Sequence, residues 1–282
     1  MSLLNGKLIL NPIRYCLIFI ISLNMYILYK LGISKFDQIL NLIISYGVFS
    51  FYSENNYKNI QNLSIFRIFS SFLFLSMLLY RFFWLHNGDN FIYILFPGLY
   101  LSLFILCSPF ENLIKDYKPF FISLLLPITK GLFIPLSIIF SPLSAFFTWL
   151  LLNSFGFSSV IKGQEIFYNN QGLNITFSCS GSGQILFSLC AMIIFNFCFP
   201  LRNLRIFLFQ FLIAFLITFS ANIIRLFILT LYVHTANSDG FSLFDYLHGG
   251  NGGLIFGLLS MTLCCESYKR FYFSDDVANE IS

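Results

Sequence analysis

One of the seven cysteines in this chain stands apart from the rest. Cys16, Cys107, Cys190, Cys198, Cys264 and Cys265 fall in apolar stretches, where a thiol most often packs as a small hydrophobe. Cys179 lies instead in a short polar segment, Phe177-Ser178-Cys179-Ser180-Gly181-Ser182-Gly183. A thiolate is a nucleophile, and a neighbouring imidazole generates it by taking the proton. Acyl transfer also passes through an oxyanion, which a cation or backbone donors must stabilise. Two residues downstream have the right types. Arg225 interrupts the apolar run Asn222-Ile223-Ile224-Arg225-Leu226-Phe227-Ile228, and His248 opens the run after Phe244-Asp245-Tyr246-Leu247. Cys179, Arg225 and His248 are therefore read as one thiol-based catalytic site.

Each of the three also has a plainer reading. Cys179 could be a packing thiol, Arg225 could snorkel to lipid headgroups, and His248 could cap a loop. Their coincidence favours chemistry, because an arginine inside an apolar span is costly and marks a functional site by default. Supporting roles fall to near neighbours. Asn222 is three residues before Arg225, on the same helix face, and could orient it. Ser178 and Ser180 could hydrogen-bond near the thiol or merely cap the helix that follows. Gly181 and Gly183 allow a tight entry turn. Asp245 could orient His248 or cap the last helix. His234 is the rival histidine, but it is nine residues after Arg225, which at about 100° per residue puts it on the opposite helix face. His86 has no distinctive neighbours. No cysteine–histidine spacing suits zinc, and no metal or organic cofactor is called for.

The elements that must hold these residues are membrane helices. Of 282 residues, 57% are hydrophobic and only 10% charged, with 39 phenylalanines. Soluble domains average about 25% charged residues. The expected fold is an all-α polytopic membrane protein of about eight transmembrane helices with a small polar outer segment. Candidate spans are 13–29, 36–52, 63–84, 91–108, 182–199, 206–233 and 248–265, each near the roughly 20 residues a crossing requires. Residues 119–153 carry Pro119, Pro127, Lys130, Gly131, Pro135 and Pro142. One crossing plus a re-entrant or interfacial piece is expected there. The chain is divided into a four-helix membrane region (1–118), a catalytic membrane core (119–267) and a cytoplasmic tail (268–282), irregular from 274. No small-residue cleavage site follows the first apolar run, which is read as an uncleaved span.

Lysine and arginine set the orientation. With the N-terminus inside, the inner segments hold Lys7, Arg14, Lys58, Lys115, Lys118, Arg202, Arg205, Lys269 and Arg270, against Lys30, Lys35, Arg81 and Lys162 outside. Both termini are thus expected in the cytoplasm. One outer segment is distinctive: residues 154–178 read as short strands at 159–161, 165–168 and 173–177, with Gly163 and Asn169-Asn170 as turns. Asn174-Ile175-Thr176 within it fits the glycosylation sequon, a motif common by chance. Depth then links the three reactive residues. The helix behind Cys179 runs inward to Arg202 and Arg205. The next one climbs about 30 Å over the twenty residues from Arg205 to Arg225, the thickness of the hydrocarbon core. Arg225 therefore reaches the outer face at the height of Cys179, and the chain re-enters at His248 in the first turn of the last helix.

These motifs, in this order, resemble the exosortase/archaeosortase family of multi-pass membrane enzymes. Phe177-Ser178-Cys179-Ser180-Gly181 is similar to the family's cysteine motif, and Ala221-Asn222-Ile223-Ile224-Arg225 to its Asn-x-x-Arg motif. His248-Gly249-Gly250-Asn251-Gly252 with Phe256 resembles its histidine motif, which makes Gly252 a supporting residue. Ser144-Ala145, Leu150-Leu151 and Gly156 before a polar hairpin are also similar, so the clear resemblance covers about residues 119–265. Ser182-Gly183-Gln184 departs from the apolar or basic residue usual after the cysteine motif.

The resemblance implies a cysteine protease or transpeptidase at the outer face of a cell membrane. Its substrates would be exported proteins with a PEP-CTERM-like tail: a short motif, a transmembrane helix and a basic cluster. Cys179 would form a thioester, His248 would act as acid and base, and Arg225 would steady the oxyanion or the substrate. An envelope polysaccharide or lipid acceptor and the membrane lipids complete the expected partners, with no nucleic acid. The family has a cyanobacterial branch, and a bacterial host with a cell envelope fits. Two other readings compete: a transporter or lipid- or polysaccharide-handling protein in which Arg225 binds an anionic headgroup, and an assembly subunit with no chemistry. A transporter usually places polar groups near the midplane of several helices. Here the conspicuous set lies at the outer edge.

Overall fold

The computed structural model describes residues 12–55, 65–82, 84, 91–107, 117–169, 171–201, 203–233 and 242–280. Ten helices and three strands are formed among them. The chain divides into two compact units, one ending at Ile128 and the other starting at Thr129. In the first, α1 (Pro12–Lys30) packs on α2 (Lys35–Asn55), α3 (Ile65–Phe82) packs on α4 (Phe91–Cys107), and α5 (Tyr117–Ser123) packs against α2 and α4. Its core is apolar, with Leu28, Ile44, Val48, Leu95, Phe96 and Leu99 buried. Tyr100 is buried among them and shares a 2.7 Å hydrogen bond with Ser45.

The second unit holds Cys179, Arg225 and His248. It contains most of α6 (Leu125–Ser154), the strands β1 (Ser159–Lys162), β2 (Glu165–Tyr168) and β3 (Gln171–Asn174), and helices α7 (Ser182–Cys198), α8 (Leu204–Leu231), α9 (Leu243–His248) and α10 (Gly250–Glu280). Helices α7, α8 and α10 pack on one another, and α9 packs on α10 and α8. Among the described residues two helices, α6 and α8, are long and apolar enough to cross a membrane, and Ile18–Lys30, Tyr93–Ser102 and Ser182–Cys198 are shorter apolar helices. Their surfaces fit a lipid solvent. Leu204, Leu208, Leu212 and Leu216 of α8 recur every fourth residue and are all exposed, as are Ile134, Ile138, Phe146 and Leu150 of α6. Water would penalise such a stripe, whereas lipid does not.

Residues 119–153, where one crossing plus a re-entrant or interfacial piece was expected, hold the end of one short helix and one long one, and the prolines inside the long helix do not interrupt it. After the short α5, α6 runs unbroken for 30 residues through Pro135 and Pro142. At about 1.5 Å per residue it is about 45 Å long. A proline within a membrane helix is tolerated where side chains and neighbouring helices satisfy the freed carbonyls. Near Pro135 the Ser137 hydroxyl donates to Phe133 O of its own helix at 2.6 Å.

Helix α6 ends in a Schellman motif. Gly156, at φ 82°, donates to Asn153 O at 3.0 Å, and Phe157 N donates to Leu152 O at 3.0 Å. The chain then enters a three-stranded antiparallel meander in the order β1-β2-β3. The third strand starts two residues earlier than expected and stops at Asn174, because Thr176 already closes the turn that carries Cys179. Ile166 and Leu173 are a register pair and both are buried, as is Ile175. This apolar face of the meander packs on Leu226 and Leu229 of α8.

Two further corrections concern the C-terminal part. His248 does not open the last helix. It ends the separate six-residue helix α9, and α10 begins at Gly250. Residues 274–280, expected as an irregular tail, continue α10 to Glu280.

Candidate functional site

The loop that carries Cys179 is held through its backbone. Thr176 O accepts both the Cys179 N–H (2.9 Å) and the Ser180 N–H (3.0 Å), which folds residues 176–180 into a tight turn. The Cys179 carbonyl accepts from the Asn222 amide of α8 at 3.2 Å. The Ser180 carbonyl accepts from the Ser144 hydroxyl of α6 at 2.9 Å. Ser182, the first residue of α7, lies 2.6 Å from Ser137 Oγ and 2.9 Å from Ser180 Oγ. Two helices thus grip two consecutive carbonyls, which meets the demand that buried backbone groups be paired. Ser137, Ser141, Ser144 and Thr148 are all buried, with spacings of four, three and four residues that make one polar seam along α6.

Gly181 makes this grip possible. It caps α7 at φ 81°, ψ −4°, a left-handed conformation that glycine adopts without strain. A Cβ added here would stand 2.6 Å from Asn222 Nδ2 and 2.7 Å from Asn222 Cγ. The missing side chain is what lets the Asn222 amide reach the Cys179 carbonyl. Asn222 therefore positions the cysteine loop, in place of the expected role of orienting Arg225. Its Oδ1 and the Nε of Arg225 are both buried without a hydrogen-bond partner.

His248, at the end of α9, lies near enough to Cys179 for imidazole and thiol to act on each other's ionisation. The ring stacks on Phe244, one helical turn earlier, with centroids 5.2 Å apart and planes 8° from parallel. Ser242 caps α9 by accepting from Asp245 N at 3.2 Å. Gly252 sets the α9–α10 junction, since a Cβ there would overlap the backbone of Leu247. The α10 end is tied to the cysteine side by Gln184 of α7, whose Nε2 donates to Gly253 O at 2.9 Å. Asp245 is exposed, and its charge contributes only weakly to the field at His248.

Cys179 is 2% exposed and belongs to an apolar cluster with Ala145, Ile166, Ile175, Leu226 and Leu247. Burial alone would push its thiol pKa up, but the His248 hydrogen bond, the charges of Arg225 and His248 and a Thr176 hydrogen bond outweigh it. The net direction is down. His248 moves the other way. Its hydrogen bond to Cys179 raises it against burial, and the attraction of the thiolate adds to the rise. Both directions shift the pair toward its charged forms, thiolate and imidazolium. Cys179 carries a field that favours ionisation, as reactive cysteines do and packing cysteines do not.

Cys179, Arg225 and His248, chosen from sequence, are thus brought together, with Asn222, Ser180 and Gly181 against the same loop. His234 and His86 lie outside the described residues. Ser180 is fully buried and bonds within the loop instead of to the thiol, its Oγ 2.8 Å from Phe177 O. Ser178 Oγ lies 4.0 Å from the sulfur. Thr176, Ser137, Gln184 and Phe244 went unnoticed in the sequence. The spacing of Ser137, Ser141, Ser144 and Thr148 within an apolar run was the available signal for the α6 seam. No comparable signal existed for Gln184, whose partner is a backbone carbonyl 69 residues away. Among the described residues no group of three or more His, Cys, Asp or Glu side chains could hold a metal ion.

Comparison with known proteins adds one finding. The family model for the transmembrane exosortase matches residues 34–265, most of the chain. No curated protein and no solved structure matches it. The match includes the loop of Cys179, the Asn222–Arg225 segment and His248, and on that extent the chain belongs to the transmembrane exosortase family.

Proposed function

We propose that this chain is a membrane-embedded cysteine protease or transpeptidase that removes a C-terminal sorting tail from exported proteins, with Cys179 as nucleophile. The observation that carries this reading is the juxtaposition of Cys179 with His248 and with the buried charge of Arg225, which act together against burial to favour the thiolate. The Cys179 thiolate attacks the scissile carbonyl, forming a C–S bond and an oxyanion. Arg225, 4% exposed and with its Nε unpartnered, stabilises that charge or grips a substrate carboxylate. Backbone N–H groups at the start of α7, where Gly181 gives no side-chain cap, lie beside the sulfur's own loop and suit the same task. As the C–N bond breaks, the His248 imidazolium protonates the departing amine. A thioester remains, and water or an acceptor amine attacks it while His248 takes that nucleophile's proton.

The proposed topology is about eight crossings of the cell membrane, with both termini in the cytoplasm and the site at the outer face. The substrate tail would be PEP-CTERM-like: a short motif, a membrane helix and a basic cluster. A cysteine placed where such a tail leaves the bilayer cuts between the exported domain and its anchor. Cys179→Ala and Cys179→Ser, co-expressed with a tripartite-tail substrate, should abolish its processing while the enzyme remains inserted. Normal processing in both variants would refute the cysteine mechanism.

A further inference from the structure

Gln184 belongs to none of the cysteine, arginine and histidine motifs. It sits in the first turn of α7, five residues after Cys179, and is buried. Its Nε2 donates at 2.9 Å to Gly253 O, in the first turn of α10. A carbonyl only accepts, so the amide nitrogen must be the atom that faces it. The place of that carbonyl gives the bond its meaning. Gly253 follows Gly252, where a Cβ would overlap the backbone of Leu247. Leu247 is buried in the same apolar cluster as Cys179, and His248 follows it at the end of α9. The corner that carries His248 is thus packed onto the start of α10, and Gln184 fixes the start of α10 to α7. On the other side the path is as short, since α7 begins at Ser182, directly after the turn of residues 176–180.

The far end of the same helix pair is tied in the same register. Tyr268 of α10 donates its hydroxyl at 2.7 Å to the carbonyl of Phe199, the C-cap of α7. Both bonds span 69 residues. Helices α7 and α10 therefore run parallel, side by side for 15 residues, or about 22 Å. Between helices in lipid the hydrophobic effect supplies no drive, so packing and interhelical hydrogen bonds set the fit. We infer, on the thiolate reading of Cys179 proposed above, that Gln184 is a positioning residue: its bond to Gly253 holds the α9–α10 corner, and with it His248, at working distance from the Cys179 loop. Without the amide both reactive residues remain, but the corner is free to shift. A displacement of about 1 Å can cost about 10²-fold in rate. The Tyr268 bond, about 22 Å away, holds the pair together without setting this distance.

The test uses the full-length protein in lipid vesicles and reads the rate of Cys179 alkylation by iodoacetamide across pH, resolved to the Cys179 peptide because other free cysteines are present. Gln184→Met keeps the length of the side chain and removes the donor. It should move the inflection of the rate profile alkaline by about one pH unit, a tenfold loss of thiolate below the inflection. His248→Ala should move it at least as far, and adding Gln184→Met to His248→Ala should move it no further. Tyr268→Phe, which removes the far bond, should leave the inflection at the wild-type position even where it lowers the thermal midpoint. An unmoved Gln184→Met profile beside a displaced His248→Ala profile overturns the inference alone. So does a Gln184→Met shift of equal size with and without His248, because the glutamine then does not act through the histidine. A Tyr268→Phe profile displaced as far as that of Gln184→Met also overturns it, since any loosening of the helix pair would then suffice. If the wild-type inflection sits at the ordinary thiol value and His248→Ala leaves it there, the thiolate reading falls and takes this inference with it.

Discussion

Replacing Gly181 with alanine tests whether the cysteine loop is held by close approach of α8. Two costs follow from the structure. The residue has φ 81° and ψ −4°, where an L side chain costs about 1–2 kcal/mol. Its Cβ would also stand 2.6 Å, 2.7 Å and 3.0 Å from Nδ2, Cγ and Cβ of Asn222, on a side that is fully buried. Overpacking of that kind costs about 1–3 kcal/mol. Together they give about 2–5 kcal/mol, or roughly 4–20 °C in the unfolding midpoint of a unit of this size. Asn222→Ala alone removes the amide from the Cys179 carbonyl and leaves a buried acceptor unpaired, at about 1–3 kcal/mol. In the double variant the alanine at 181 no longer meets Nδ2 or Cγ, and only the conformational cost and the 3.0 Å contact with Cβ remain. The double variant should therefore be more stable than the sum of the singles predicts, by about 1–2 kcal/mol. Far-UV circular dichroism of thermal unfolding in one detergent, for all four proteins, measures this. Additive effects would refute the close approach, and an unchanged midpoint in Gly181→Ala would refute the left-handed turn.

Two more outcomes follow from the site. The paired shifts of Cys179 and His248 make stability depend on pH. His248 is raised, first by its hydrogen bond to Cys179, so its contribution is complete below the ordinary imidazole value and is lost as pH rises through its raised one. Cys179 is lowered, so its contribution is present above the ordinary thiol value and disappears as pH falls through the lowered one. The midpoint difference between wild type and His248→Ala should accordingly shrink as pH rises through the histidine's value; a difference that grows would contradict the pair. The second outcome concerns the hinge between α9 and α10. Gly252→Ala forces the Leu247 backbone aside and should slow Cys179 alkylation and tail processing strongly, with helix content retained. Gly183→Ala, whose Cβ would lie 3.5 Å from the Phe133 ring in ordinary contact, should process normally, and equal losses in both would refute the hinge reasoning.

What could be read in advance was set by one-dimensional rules. Apolar runs of bilayer length located the helices, since period and length are properties of the chain alone. The rise per residue led to the expectation of Arg225 near Cys179, and the fold brings the two near each other, while His234 lies outside the described residues. Those rules give depth and azimuth but not which atoms meet. Asn222 shares a helix face with Arg225, so sequence logic paired them; in the fold its amide turns to a carbonyl 43 residues away, because Gly181 leaves room there and nowhere on α8 itself. Residues 119–153 were only partly legible for a related reason. Proline removes one hydrogen bond of a helix and glycine weakens it, so both read as breakers. Yet α6 passes through Pro135 and Pro142, and from its polar seam Ser137 and Ser144 bond to the segment that carries Cys179. The breaker signal and the polar seam are thus parts of one feature: a long apolar helix whose polar face holds Ser180 and Ser182 where α7 must begin. Read as punctuation it predicts an interruption; read with its serines it predicts the platform on which Cys179 is presented.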